Sequence, residues 1–283
     1  MARGSWHRLL GKIGWVTIVM AALLVAIVVA VIAAPLITNY SPERGSIILR
    51  HSAPSAEHLL GTDHLGRDLF TRIVYGGRTS LVIGFSAVII GLLVGGSLGL
   101  VSGFFKGKLL DTLIMRATDV AMSFPSILLA IVLVTFLGFS TVNIIIAIGL
   151  PIVPGFIRIT RSVTITLTES DFPTAARALG ASDLRIMFRH LLPNCVGPLI
   201  VYSTMYVGRA ILTEAGLSFI GLGIQSPDVS WGVLASEGRA YLRSYPLLAL
   251  APGFAIMLTT FCTNLVGDGL RDFLDPKTII GNR

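Results

Sequence analysis

Long uninterrupted runs of apolar residues constrain this chain more than any other feature. Apolar residues make up 53% of the sequence and charged residues only 13%, and the mean hydropathy of +0.81 lies far outside the soluble range. A helix of roughly 20 apolar residues crosses the hydrocarbon core of a bilayer, so the chain has room for about six such helices. The composition therefore predicts an all-α fold, that of a polytopic membrane protein with six transmembrane helices.

The predicted spans cover residues 13–37, 79–103, 118–137, 141–159, 196–217 and 246–267. The first has an apolar core too long for a cleaved signal peptide, so we expect a retained anchor. Basic residues collect in alternate connections, at Arg3, Arg8, Lys12, Lys106, Lys108, Arg116, Arg158, Arg161, Arg177, Arg185, Arg189, Arg271, Lys277 and Arg283. The positive-inside bias then makes these connections and both termini cytoplasmic and residues 39–78 external.

The net charge of +7 is explained by this orientation, so it does not indicate nucleic-acid binding. The two cysteines, Cys195 and Cys262, lie in no recognised pattern, and the predicted topology places both near the cytoplasmic side. We therefore expect two free thiols and no disulfide.

A polar, basic stretch, DFPTAARALGASDLRIMFRHLLPN at residues 171–194, interrupts the apolar runs, and we call it the 171–194 segment. Asp171 is suited to cap a first helix, and Gly180 to end that helix in a left-handed conformation. Ser182 then caps a second helix, which Pro193 closes. The pattern predicts a short, bent helix pair at a membrane face.

The second helix of this segment carries an apolar stripe. Its members are Leu184, Met187, Phe188 and Leu191, opposite Asp183, Arg185 and Arg189. Because these apolar residues recur at helical spacing, we expect them to form one side on which the segment docks.

Small residues and prolines mark particular positions within the spans. Gly91, Gly95, Gly99 and Gly103 repeat every four residues in the second span, on a face where another backbone can approach closely. That face meets either another helix of the same bundle or a second membrane subunit. Kinks or helix ends are predicted at Pro125, Pro151, Pro154 and Pro252.

The spacing within the 171–194 segment resembles the cytoplasmic "EAA" loop of ABC-importer permeases. In that pattern Glu-Ala-Ala is followed by three residues, a glycine, twelve residues and a proline. The matching positions here are Thr174, Ala175, Ala176, Gly180 and Pro193. Thr174 replaces the glutamate and His190 stands where the general pattern has isoleucine.

Further stretches resemble the C-type permeases of dipeptide, oligopeptide and nickel ABC importers. They are LGTDHLGRD at 60–68 with YGGRTSL at 75–81, EAGLSFIGLG at 214–223 with SWG at 230–232, and NLVGDGLRD at 264–272 with Asp275 and Pro276. Residues 175–194 also match that subfamily better than the general loop. The resemblance thus covers nearly the whole chain.

The resemblance implies a type I ABC-importer permease fold in a bacterial or archaeal cytoplasmic (inner) membrane. The chain would form half of the translocation path for di- or oligopeptides. The implied partners are a second, B-type permease, two ATPase subunits, an external solute-binding protein and the lipid bilayer. The chain lacks a G-x-x-x-x-G-K-[ST] loop, so we expect no cofactor on it, with ATP and Mg held by the ATPases.

The resemblance also implies site residues and a division of the chain. ATPase coupling is expected at Asp171, Thr174, Ala175, Ala176, Arg177, Gly180, Ala181, Arg185, Arg189 and Pro193. Residues 1–38 would be the N-terminus and first anchor, 39–78 an external segment, 79–268 the permease domain with its coupling loop at 161–195, and 269–283 a cytoplasmic tail.

Two charges fall within or near the fifth span, Arg209 and Glu214. Ionisable groups at membrane depth tend to face the bundle interior or water, so we expect one or both of them to line the path or its outer gate. Trp231 is a further candidate for the path or gate. Alternatively, Glu214 is interfacial, and Arg209 snorkels or pairs within the bundle. Because the two charges are five residues apart, we expect no mutual salt bridge.

Import of another solute, an intramembrane enzyme and a passive channel are the alternatives to peptide import. Importers of nickel, opines, glutathione and oligosaccharides share these patterns. An intramembrane enzyme would need catalytic groups or metal ligands at membrane depth. The five histidines, His7, His51, His58, His64 and His190, all fall in predicted loops or tails, and no H-E-x-x-H pattern occurs. We therefore expect no catalytic or metal site. A passive channel would have no use for the coupling loop.

Overall fold

The computed structural model describes residues 14–225 and 227–274. The predicted features at Arg3, Lys12, Asp275, Pro276 and Lys277 lie outside the described residues, as do Arg8, Arg283 and His7. Within the described part the chain is almost entirely helical, and an isolated antiparallel bridge joins Thr62 to Asp68.

The main described helices are joined by short connections, except that the first two are separated by the polar stretch up to Asp68, which contains the short helical segments Ala34–Ile37 and Ile47–Leu49. In chain order the main helices are α1 (Trp15–Ile32), α2 (Leu69–Phe104), α3 (Leu109–Met122), α4 (Ser126–Leu137), α5 (Thr141–Thr168), α6 (Asp171–Ala178), α7 (Asp183–Phe219), α8 (Trp231–Arg239) and α9 (Leu247–Leu274). Three of them contain irregular turns: a π-turn at Gly91–Gly95 in α2, a 3-10 turn at Leu150–Ile152 in α5 and a π-turn at Met187–Leu191 in α7.

Five of these helices, α1, α2, α5, α7 and α9, are long and apolar enough to cross a membrane. Helices α3 and α4 meet at 89° and make a sixth span if the bent pair is counted as one. The predicted third span at 118–137 is therefore not one straight helix. Pro125 explains the break, because proline offers no backbone N–H and disfavours helical geometry in the residue before it.

The 171–194 segment differs from its prediction at both ends. Ser170, not Asp171, is the N-cap residue of α6, and Asp171 begins the helix. Pro193 does not close a helix, because α7 runs on from Asp183 to Phe219. The π-turn at Met187–Leu191 ends two residues before this proline, so the regular hydrogen-bond ladder is already interrupted where proline lacks its N–H.

The interior of the bundle lies between α2, α5 and α7. Fully buried side chains there include Ile83 of α2, Phe156 of α5 and Ile211 of α7. A smaller apolar cluster lies beneath the 171–194 segment and contains Leu100 from the far end of α2. With 36 residues, α2 is about 54 Å long, so it separates the 171–194 segment from the polar stretch that precedes Leu69.

Candidate functional site

The bend of the 171–194 segment is built by hydrogen bonds at the end of α6. The N–H of Gly180 donates to the carbonyl of Arg177 at 2.9 Å, and that of Ala181 donates to the carbonyl of Ala176 at 3.0 Å. Gly180 has a φ of +85°, as its predicted left-handed conformation requires. Ser182 then caps α7 by accepting from the N–H of Arg185 at 3.4 Å, which confirms the predicted second cap.

Most of the predicted coupling residues face outward. Exposed positions are Asp171, Thr174, Ala175, Arg177, Gly180, Arg185, Arg189 and Pro193. Ala176 differs, because it is buried against the chain's own cluster of Leu100, Ile186 and Leu191, and Ala181 is half-buried at its edge. The small side chain of Ala176 therefore serves packing within this chain and does not lie on the outer face of the segment.

The apolar stripe predicted for the second helix is divided between two faces, so the prediction of a single stripe is wrong. Met187 and Leu191 are buried, whereas Leu184 is 65% exposed and Phe188 58% exposed. The π-turn explains the division, because its wider turn places Ile186 and Leu191 on the same buried side although they are five residues apart.

Helical periodicity also misses Leu179, which is 90% exposed at the bend. Leu179, Leu184 and Phe188 give the segment a set of exposed apolar side chains among basic ones.

The glycine face of α2 packs against α5. A β-carbon on Gly95 would lie 2.7 Å from the carbonyl oxygen of Val153, and one on Gly99 would lie 2.6 Å from that of Ile157. A β-carbon on Gly91 would meet the ring of Phe156, and one on Gly103 the side chain of Thr164. Of the two partners left open by the sequence, the structure places a helix of the same bundle at this face.

Residues 95–99 also spell G-x-S-x-G, a pattern found in hydrolases. The hydrolase motif presents its serine on a sharp turn from strand to helix. Ser97 instead lies within helix α2, so the pattern here reflects the glycine packing face and makes no nucleophile.

An ion cluster of Asp63, Arg67, Arg72 and Glu237 lies at the start of α2. Oδ2 of Asp63 accepts from Nε of Arg67 and from Nη1 of Arg72, both at 2.7 Å. Nη1 of Arg72 also donates to Oε2 of Glu237 at 2.7 Å, which joins α8 to the start of α2. Burial alone would raise the pKa of Asp63, but its bonds to Arg67 and the charge of Arg72 outweigh burial and lower it.

Part of the ion cluster has the spacing of a possible metal site. Ligand atoms of Asp63, His64 and Glu237 lie within 4.8 Å of one another. Both carboxylates, however, are already paired with Arg67 or Arg72, and these guanidinium charges would repel a cation. The donor set therefore does not suit a metal ion.

Glu214 is fully buried. Its Oε1 accepts from the hydroxyls of Ser218 and Ser230, both at 2.7 Å, and its Oε2 accepts from Ser80 at 3.2 Å. In this structure Glu214 therefore faces no open path but a buried network of serines, and its expected role at the outer gate stays a prediction.

Trp231 is buried beside this network. Its backbone N–H donates to Ser80, and its indole donates to the carbonyl of Ile73 at 2.8 Å. Like Glu214, it joins helices, and its ring also borders an apolar cavity of about 500 Å³ between α1, α2 and α9. Its expected place at the path stays a prediction. Ser218 lies one helical turn from Glu214, but Ser80 lies 134 positions away and belongs to another helix, so the sequence gives no signal for that contact.

Arg209 is the predicted path residue that remains exposed. It borders a cavity of about 300 Å³ between α4, α5 and α7, which Ser126, Pro151, Tyr206 and Thr213 also line. Tyr202 and Tyr206 line an adjoining cavity of about 130 Å³. We call this surface, with Tyr202, Tyr206, Arg209 and Thr213 along α7, the α7 groove.

Comparisons with known proteins agree with the resemblance drawn from the motifs. Residues 87–280 match the family described as binding-protein-dependent transport system inner membrane component. The chain is 47% identical over 260 residues to the dipeptide transport system permease protein DppC of Alkalihalophilus pseudofirmus, covering 92% of this chain and 85% of that protein. It is 43% identical over 227 residues to the glutathione transport system permease protein GsiD of Pectobacterium atrosepticum, covering 80% and 75%.

Among solved structures, the fold is similar to that of the MetNI methionine ABC transporter in an inward-facing conformation. The TM-score is 0.59 at 17% identity, and the match covers 73% of this chain and 98% of that one. This similarity supports the predicted type I importer fold. The chain therefore belongs to the binding-protein-dependent transport system inner membrane component family and is a multi-pass permease subunit of an ABC importer.

Proposed function

We propose that this chain forms half of the translocation path of an ATP-driven importer of di- and oligopeptides. The names of its relatives support this substrate class, since one is named for dipeptides and another for glutathione, which is itself a small peptide. Both relatives are matched over three quarters or more of their length, so the proposal concerns a whole permease subunit and not a shared fragment.

The proposed partners are a second, B-type permease, two ATPase subunits and an external solute-binding protein. The family description supports dependence on a binding protein. The chain itself holds no cofactor in this proposal, since its sequence lacks a phosphate-binding G-x-x-x-x-G-K-[ST] loop. ATP and Mg would be bound by the ATPase subunits.

The continuity of α7 carries the proposal for coupling. This helix runs from Asp183, in the 171–194 segment, to Phe219 and passes through Arg209 of the α7 groove. An ATPase docked on the exposed Leu179, Leu184 and Phe188 would move the start of α7 as it closes on ATP. Because the helix is continuous, this displacement would reach the groove and switch its access.

The proposed orientation has both termini cytoplasmic and residues 39–78 and 218–245 external, in a bacterial or archaeal inner membrane. The division of the chain expected from the sequence follows the same orientation. Labelling from outside the cell should modify a cysteine placed at Glu57 but not one placed at Ser182. The two natural cysteines are fully buried and give a low background. Labelling at position 182 in intact cells would contradict the proposed orientation.

The test of coupling uses Leu184, whose side chain is mostly exposed and makes little contact within the chain. Leu184→Asp should leave thermal stability unchanged but reduce co-purification of the ATPase and ATP-dependent uptake of dialanine in proteoliposomes, because it places a charge in an apolar contact. Leu184→Met is the matched control, since it keeps an apolar side chain of similar volume. Normal uptake by Leu184→Asp would remove this surface from the coupling mechanism.

A further inference from the structure

The α7 groove presents three polar side chains along one face of a membrane helix. Tyr202, Tyr206 and Arg209 follow one another at spacings of four and three residues, which brings them onto the same side of α7. Arg209 is ten residues before the end of the helix at Phe219, or about 15 Å along its axis, so it lies deep within the span. A cationic side chain at that depth is costly unless an anion or water meets it.

Arg209 has no acidic partner among the residues that the structure describes. Its side chain contacts Tyr206: Nη1 donates to the hydroxyl of Tyr206 at 3.5 Å, and the guanidinium lies 5.3 Å from the centre of the same ring. The nearest acid along α7, Glu214, is fully buried and accepts from three serine hydroxyls. Within the described residues no acidic side chain neutralises the charge of Arg209, and this charge faces the groove.

Tyr206 adds a second donor at the same place. The hydroxyl of Tyr202 donates to that of Tyr206 at 3.0 Å, so the hydrogen of Tyr206 is directed elsewhere. Within the described residues no acceptor takes this hydrogen. One charged donor and one neutral donor thus adjoin a cavity of about 300 Å³ whose other walls include the apolar Ala130, Ile148 and Ile152.

This donor set selects the chemistry of a ligand. A planar guanidinium beside a hydroxyl donor suits a carboxylate, which accepts several hydrogen bonds, and a charge-assisted bond is stronger in an apolar surrounding. A metal cation would be repelled by Arg209. The groove has no carboxylate that could pair with the ammonium group at the N-terminus of a peptide. It therefore suits only the carboxylate end of such a molecule.

We propose that Arg209, supported by Tyr206, binds the free carboxylate at the C-terminus of a peptide as it passes through the α7 groove. This inference rests on the proposed function, because it takes a peptide to be the solute. It adds a recognition step inside the membrane to the selection made by the external binding protein. Peptides without a free C-terminal carboxylate would lose this contact.

The test measures protection of a thiol placed in the groove, in the complete complex with its partner permease and ATPases and without nucleotide. Thr213→Cys puts the thiol on the groove, one helical turn beyond Arg209. Dialanine should slow its reaction with a small maleimide, and dialanine amide, which lacks the carboxylate, should not. Arg209→Gln should raise the dialanine concentration for half-protection by about tenfold or more, as loss of a charged hydrogen-bond partner implies.

Two further variants make the outcome specific. Arg209→Lys keeps the charge and should retain part of the protection. Arg239→Gln removes an equally basic side chain, exposed on α8 and remote from the groove, and should retain all of it. Equal protection by dialanine and its amide, no protection at all, or full protection in Arg209→Gln would overturn the inference. So would failure of Arg209→Gln to assemble, which would assign Arg209 to a pairing with the second permease.

The same preparation separates the two proposals. If the unmodified complex shows no ATP-dependent uptake of dialanine, the proposed function fails whatever the labelling shows. If uptake is normal and protection does not depend on Arg209, the importer proposal stands and only the carboxylate site is lost.

Discussion

The hydroxyl of Ser230 donates a 2.7 Å hydrogen bond to Oε1 of Glu214 and so ties the start of α8 to the interior of α7. Two other serines donate to the same carboxylate, one of them Ser80 of α2. The buried carboxylate of Glu214 therefore accepts hydrogen bonds from serine hydroxyls of α2 and α7 and from the serine that caps α8.

Glu214→Ala should lower the free energy of unfolding by about 2–4 kcal/mol, because it leaves buried hydroxyls without an acceptor and opens a cavity. Unfolding of the purified complex in detergent would measure the loss. Ser236→Ala is the control, since Ser236 is only half-buried and its hydroxyl donates a long, 3.4 Å hydrogen bond to the carbonyl of Phe219. Equal stability of Glu214→Ala and the unmodified chain would contradict the structural role.

The glycine face of α2 gives a matched pair of substitutions. Gly99→Ala brings a methyl group to 2.6 Å from the carbonyl of Ile157, whereas at neighbouring Gly96 the nearest atom is Leu199 Cδ1 at 3.8 Å. Both changes gain about 1 kcal/mol of helix propensity. Gly99→Ala should nevertheless destabilise the bundle, because two backbones must separate, while Gly96→Ala should be neutral or stabilising. Thermal unfolding of the two variants side by side decides the matter, and equal midpoints would refute close packing of α2 on α5.

At Gly180 the effect of backbone conformation can be measured without any effect of side-chain contacts. Nothing lies within 4 Å of a β-carbon at this position, so the effect of a side chain comes from its φ of +85° alone. Gly180→Val should strain the bend by about 1–2 kcal/mol and reduce ATPase co-purification, with insertion of the permease unchanged. Gly180→Asn should be much milder because asparagine tolerates left-handed geometry. If valine and asparagine behave alike, the bend does not depend on this conformation.

The ion cluster predicts a pH dependence of stability. The pKa of Asp63 in the folded protein lies below its ordinary value of 3.8, so its contribution is present above that value and is lost as pH falls through the folded pKa. Asp63→Asn should therefore flatten the loss of stability below about pH 4 relative to the unmodified chain. Asp228→Asn, at an exposed acid, is the control and should leave the curve unchanged. A curve of the same steepness in Asp63→Asn would exclude this role.

Features that depend on neighbouring residues could be predicted from the sequence. Apolar length predicted the long helices, the bend followed from Gly180 and Ser182, and the four-residue repeat of Gly91, Gly95, Gly99 and Gly103 predicted a close-packed face. Each of these rests on geometry within one or two helical turns, which the order of residues determines directly.

Only the tertiary structure decided which side of each element is covered. Ser80 and Glu214 bond across 134 positions of sequence, so the burial of Glu214 had no local signal. The same holds for Ala176, which is covered by Leu100 of α2. The π-turn that divides Leu184 from Leu191 is a change of helical period that the residues alone did not reveal. Burial depends on what the rest of the chain brings close, and that is set by packing, not by the pattern of one segment.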